Sequence, residues 1–228
     1  MTDTSGTTAA AQDPRGRILD SFLALLAERP FERIGLNDVA TRADVSLVEL
    51  RAAFGSTFDM LSTFIRDVDR KVLVGVASEG DEAMAEQPAR DRLFDVLMRR
   101  MDVLAPHKAA LGSLARSARG NPFFALALNK LAVRSAQWML AAAKIDTAGL
   151  KGAARAQGLA LVYGRTLRTF LHDDDPGLAK TMSTIDRELS KGERALGLLD
   201  SFCVLATCGG RRRERPAPAP EPEAPAAA

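Results

Sequence analysis

RGRILDSFLALLAERPFERIGLNDVATRADVSLVELRAAFGSTFDMLSTFI, residues 15–65, is the stretch whose pattern decides the fold. Ile18, Phe22, Leu25 and Leu26 recur at helical spacing and make the apolar stripe of a first helix. Pro30 ends that helix, because the residue before a proline is pushed out of the helical region. Leu36, Val39 and Ala40 restart the stripe, with Gly35 or Asn37 at the cap. Asp44 stands where the chain must turn, and aspartate tolerates a left-handed backbone better than most residues. Ser46 with Glu49 three residues on is a capping box. Leu50 and Phe54 put two apolar side chains one turn apart under the helix so started. Gly55 closes it, and Ser56 caps a longer helix that runs to about Val76. Two short helices joined by a tight turn make a helix-turn-helix, the geometry that sets one helix into a DNA major groove.

Outward from this stretch, the chain reads as helical throughout. Residues 90–104 place Leu93, Leu97, Met101 and Leu104 on one face, and Pro106 breaks that helix. KAALGSLARSA, from Lys108, forms a short helix, and Asn121-Pro122 is a turn signal. Residues 123–143 make a long apolar helix around Leu126, Leu131, Trp138 and Leu140. Residues 149–171 make a second, with Leu159, Val162, Tyr163, Leu167, Phe170 and Leu171. DDDPG at 173–177 is a start signal for a last helix over 178–205, with Gly192 and Gly197 as break points. No strand-like alternation competes. The expected fold is all-α, with a three-helix N-terminal domain at 14–60 and a helical bundle at 61–205. Residues 1–13 read as a disordered leader, and 206–228 as an arginine cluster followed by a Pro/Ala-rich tail.

The composition excludes several classes. The 228-residue chain is 46% hydrophobic and 26% charged, ordinary for a globular protein large enough to bury a core. No apolar run approaches the roughly 20 residues that cross a bilayer. The N-terminus lacks the apolar region of a secretory signal. Cys203 and Cys208 are too few for a disulfide framework or metal site and read as reduced thiols of a cytoplasmic protein. The net charge is only +2, and residues 15–71 balance nine bases with nine acids. DNA affinity must therefore come from where the charges sit, not from their excess.

LNDVATRADVSLVELRAAFGS resembles the tetracycline-repressor (TetR) family of bacterial regulators. The shared positions are Asp38, Val39, Ala40, Ala43, Val45, Ser46, Leu50, Phe54 and Ser56. The resemblance implies a homodimer that binds a palindromic operator in double-stranded DNA and responds to a small ligand, as a repressor or other transcription regulator. Carried onto this chain, Arg42, Ser46, Leu47, Glu49, Arg51, Ala52 and Thr57 fall nearest the DNA. The chain departs from the family there. Gly35 stands where Thr or Ser is usual, and Asp44 where Gly is usual. The tyrosine, histidine and lysine that usually meet phosphate are Arg51, Ala53 and Thr57. Arg51 can bond phosphate or read guanine. Glu49 repels phosphate unless it caps the helix or pairs with cytosine.

APHKAALGSLA (105–115), Trp138, ALVYGRTLRTFLHDDDPGLAKT (160–181) and IDREL (185–189) resemble the lipid-binding accessory proteins of coenzyme Q biosynthesis. Those proteins use the same type of fold to hold an isoprenoid lipid. Pro106, Leu111, Trp138, Val162, Tyr163, Thr166, Leu171, Thr181, Asp186 and Arg187 carry the match. It implies an alternative function, a non-enzymatic lipid or quinone binder without DNA reading. The terminal amphipathic membrane-docking helix of that family has no counterpart in the polar sequence from Arg211, which counts against membrane association even under this alternative.

Phe123, Trp138, Met139, Tyr163, Thr166 and Phe170 either line a cavity for a small hydrophobic ligand, isoprenoid or quinone among them, or pack as core. Their spacing permits both. His107 and His172 lie near helix ends beside charge and read as caps. Asp173, Asp174 and Asp175 lack the ligand spacing of a calcium loop and suit a helix N-terminus. No nucleophile–base grouping, Gly-rich phosphate loop or metal-ligand spacing is present. An enzyme, a cofactor and a metal are therefore not expected.

Overall fold

The computed structural model describes residues 13–78 and 86–208, with 195–208 as backbone alone. The leader (1–12), most of the polar stretch (79–85) and the tail (209–228), with the arginine cluster, lie outside the described residues, as do the side chains of Cys203 and Cys208. The helices are α1 (Pro14–Glu28), α2 (Leu36–Ala43), α3 (Leu47–Ala53), α4 (Thr57–Ala77), α5 (Ala89–Leu104), α6 (Lys108–Gly120), α7 (Pro122–Ala142), α8 (Gly149–Phe170) and α9 (Ala179–Cys208). No strand occurs among the described residues. By its contacts the chain divides into a unit ending at Ser190 and a second beginning at Lys191.

The helix ends are set by local chemistry. Asp13 caps α1 by accepting from the Arg15 amide, and Pro14 takes the first turn, where its missing N–H costs nothing. Ser56 caps α4 by accepting from the Asp59 amide at 3.0 Å. Asn121 caps α7 through the Phe124 amide at 3.0 Å, and Pro122 again follows. Between α5 and α6, Pro106 gives a single 3₁₀ turn over Ala105–His107 rather than an open break. Neither Gly192 nor Gly197 interrupts α9, which runs to Cys208, three residues past the expected end. A glycine costs a helix about 1 kcal/mol, too little to end one by itself.

Asp173 and Asp175 organise the entry to α9. The Asp173 carboxylate, fully buried, accepts from the Thr181 amide at 2.8 Å and the Thr181 hydroxyl at 2.7 Å. Asp175 accepts from Gly177 and Ala179 amides at 3.2 and 3.1 Å. Burial pushes the Asp173 carboxyl up, but the bonds from Thr181 and Asp175, with Lys180 nearby, leave it below its ordinary value. The aspartate run therefore serves helix initiation. His172 ends α8, its Nδ1 lying 2.8 Å from the Arg168 carbonyl.

The N-terminal helices share one apolar interior. Ile18, Phe22 and Leu26 of α1 meet Val39, Leu50, Phe54, Leu61 and Phe64 in it, all buried. α1 also packs along α6, and polar contacts fix the pairing. The Ser113 hydroxyl donates to the Arg29 carbonyl at 2.9 Å, and the Ser117 hydroxyl accepts from the Phe31 amide at 3.2 Å. Ser117 in turn donates to Glu32 at 2.8 Å, and Phe31 stacks on Phe124 with ring centroids 4.6 Å apart. The 3₁₀ turn Phe31–Arg33, just after α1, is thus clamped against α6 and α7.

His107 sits on the same side, edge-on to Phe64 with centroids 5.0 Å apart. Burial, then the Lys71 ammonium, hold its imidazole below the ordinary value of 6.5 against an opposing effect of Asp20. The fold thus prefers neutral His107, and the unfolded chain binds the proton more readily. Its contribution is present above pH 6.5 and is lost as pH falls through the lower folded value. We expect the urea midpoint to fall between about pH 7 and 5, and His107→Gln to flatten that slope, as urea titrations at each pH would show.

Candidate nucleic-acid interface and the polar core behind it

The turn between α2 and α3 rests on Asp44, in the left-handed region at φ 52°, ψ 56°. The Val45 amide donates to the Ala40 carbonyl at 3.1 Å, closing α2 as a left-handed C-terminal cap does. Aspartate here supplies the conformation usually given by glycine, and the turn stays tight.

Ser46 and Glu49 form the capping box expected from sequence. The Glu49 amide donates to Ser46 Oγ at 3.2 Å, while the Ser46 amide and hydroxyl each donate to Glu49 Oε2 at 2.8 Å. Bonds from the Ser46 backbone and hydroxyl hold the Glu49 carboxyl below its ordinary range, with Arg17 adding to the effect. The acid that would repel phosphate is turned back on its own helix. At the opposite end of α3, Arg15 Nη1 donates to the Ala53 carbonyl at 3.0 Å, and its guanidinium lies 4.6 Å from the centre of the Phe54 ring. A cation at a helix C-terminus is favourable.

The structure separates the seven DNA-facing expectations. Arg42 is committed to a bidentate pair with Glu28, both bonds 2.6 Å, which ties α2 to the end of α1. Ser46 and Glu49 are committed to the cap. Thr57 is half-buried as the first residue of α4. Leu47, Arg51 and Ala52 lie exposed on the outward face of α3. Val48, absent from that set, is the most exposed large apolar residue of α3 at 80%, with Leu47 at 52%. Its position four residues before Ala52, on the side away from Leu50 and Phe54, is the signal that would have found it.

Behind this head, the expected ligand-pocket residues scatter. Phe123 is 84% exposed and Trp138 54%, so neither reaches the interior. Met139, Thr166 and Phe170 are buried, and Tyr163 is half-buried. A cavity of about 10 Å³ is bordered by Leu97, Arg100, Ala132, Ser135, Ala136, Met139, Leu159 and Tyr163. That is room for about one water. Met139 and Tyr163 are the members of the expected set that border it. Trp138 follows Lys130 and Arg134 at four-residue spacing on the exposed, charged side of α7, the signal in the sequence that places it outward.

The cavity flanks an ion pair that sequence reading missed. Arg100 of α5 bonds Asp69 of α4, and both side chains are buried. The Ser135 hydroxyl of α7 donates to the same Asp69 oxygen at 2.6 Å. The Arg100 guanidinium lies 5.0 Å from the centre of the Tyr163 ring of α8. Burial would lower the Arg100 pKa, but Tyr163 and Asp69 raise it, and the guanidinium stays charged. One buried cluster thus joins four helices, with α4 leading directly back to the helix-turn-helix.

Three solved structures share this architecture. A TetR transcriptional regulator from Nitrosomonas europaea ATCC 19718 matches with TM-score 0.60 at 22% identity, over 78% of this chain and 98% of that one. One from Rhodococcus sp. RHA1 matches with TM-score 0.52 at 22% identity, over 78% and 94%. A TetR-family regulator from Streptomyces coelicolor matches with TM-score 0.50 at 13% identity, over 89% and 91%. No protein-family model and no curated protein matches the sequence. The fold is all-α and TetR-like. No helix among the described residues is long and apolar enough to cross a membrane.

Proposed function

We propose that this chain is a DNA-binding transcriptional regulator that acts as a ligand-responsive homodimer on a palindromic operator. The observation that carries it is the finished reading head: α3 capped at both ends, Glu49 turned inward, and an outward face with Arg51 at its centre. TetR-type regulators share the fold, which supports the reading. The half-sites of such an operator lie about 34–36 Å apart, one helical turn. The test is binding to duplex DNA upstream of its own gene across a salt series. Affinity should fall steeply as salt rises. Absence of salt-sensitive binding, with isoprenoid lipid copurifying by mass spectrometry, would replace this reading with the lipid carrier.

The dimer is argued from α7 and α8, which pack together through paired Asn129–Gln157 amide bonds of 3.3 Å. Leu126, Lys130, Arg134, Trp138 and Ala141 make one exposed stripe, and Leu150, Ala154, Gly158, Leu161 and Arg165 another. A Cβ on Gly158 would meet nothing within 4 Å, so no contact inside the chain requires glycine there. A second copy of α8 approaching closely does require it. Gly158→Leu and Leu161→Arg should each give monomers by light scattering while leaving the helical circular dichroism intact. Gly158→Ala should stabilise the monomer by up to about 1 kcal/mol. Within the same reading, the ligand enters beside Arg100, Met139 and Tyr163, where the water-sized cavity must widen to admit it.

A further inference from the structure

Most DNA-reading helices present side chains that hydrogen-bond base edges. On α3 the outward face is Leu47, Val48, Arg51 and Ala52, and only Arg51 can make such a bond. Glu49, at the margin, is held by Ser46. Leu47 and Val48 stand 52% and 80% exposed side by side, and covering them with another surface would be favourable. A protein groove and a DNA major groove are the two surfaces that could do so. Position decides for DNA, because these residues surround Arg51 on the helix that follows the turn, with Arg17 close enough to act on Glu49. The only apolar group on the floor of the major groove is the C5-methyl of thymine.

Resting on the regulator reading above, we propose that Leu47, Val48 and Ala52 read thymine methyl groups, so the preferred half-site is a run of A·T pairs lying around Arg51. Methyl position then distinguishes A·T from T·A without hydrogen bonds. Uracil has the pairing and major-groove O4 of thymine without the methyl, which isolates the contact.

The experiment uses the full chain. A random duplex pool is selected for retention at low salt, and the enriched duplex is remade with deoxyuridine at each half-site thymine. We expect about fourfold weaker binding per contacted methyl, the cost of one unburied carbon. With Val48→Ala the thymine-to-uracil ratio should move toward one, while 5-methylcytosine at a contacted position should restore part of the affinity. An enriched duplex that binds equally well with uracil overturns this inference and leaves the regulator reading intact. A pool in which nothing is retained overturns both.

Discussion

Replacing Arg100 with methionine is expected to destabilise the protein by about 3–5 kcal/mol. The guanidinium is buried with Asp69 and over the Tyr163 ring, so its removal leaves a buried carboxylate with the Ser135 hydroxyl and without its counter-charge. Asp69→Leu alone should be as damaging, because it strands the guanidinium. The double variant Asp69→Leu/Arg100→Met should recover most of the loss. Ser135, left without Asp69, can turn its hydroxyl back onto its own helix at small cost. Urea unfolding of the four proteins closes the thermodynamic cycle. If the double variant is as unstable as the singles, the pair is not a self-contained unit, and its residues matter through separate contacts. A buried pair is weak evidence for stability as such. Its placement joins α4, the helix that follows the helix-turn-helix, to α5, α7 and α8.

Arg51→Ala is expected to have the largest effect on binding, a loss of about 1–3 kcal/mol, roughly fivefold to 150-fold. The expectation follows from subtraction. Arg42 is spent on Glu28 and Arg15 on the Ala53 carbonyl, while Arg51 is exposed at the centre of the outward face. A salt series separates its two possible partners. If Arg51 meets phosphate, the variant loses about one unit of salt slope and weakens on all sequences alike. If it meets guanine, the slope holds and the consensus relaxes at one base pair. Glu49→Gln is the companion variant. It keeps one capping acceptor and removes the charge, so operator affinity should change little if the carboxylate is fully occupied by the cap. An affinity gain of tenfold or more would show that Glu49 faces the phosphates after all.

Both expectations depend on features of different legibility. The capping box, the left-handed turn and the Leu50–Phe54 spacing were readable, because each joins residues no more than five apart and follows from backbone chemistry. The aspartates before α9 are nearly as local, since their bonds reach at most eight residues along the chain, from Asp173 to Thr181. Arg42 shows the limit. Its position on the helix-turn-helix marks it as a DNA contact, but Glu28, fourteen residues earlier, takes it. The serines of α6 gave no signal at all, since a small polar residue on a helix reads as surface until a carbonyl from another helix meets it. Trp138 is different: its size suggests the interior, but it follows Lys130 and Arg134 at four-residue spacing and shares their exposed side.

By itself, then, the sequence determined the helices, most of their ends and the helix-turn-helix, through interactions within a turn or two of chain. Only the tertiary structure decided which charges are free to meet a ligand, which apolar residues face outward, and where the buried Asp69–Arg100 pair lies. Those outcomes depend on residues tens of positions apart being brought together by packing. A charge or a methyl group is functional only if nothing else in the folded chain has already claimed it.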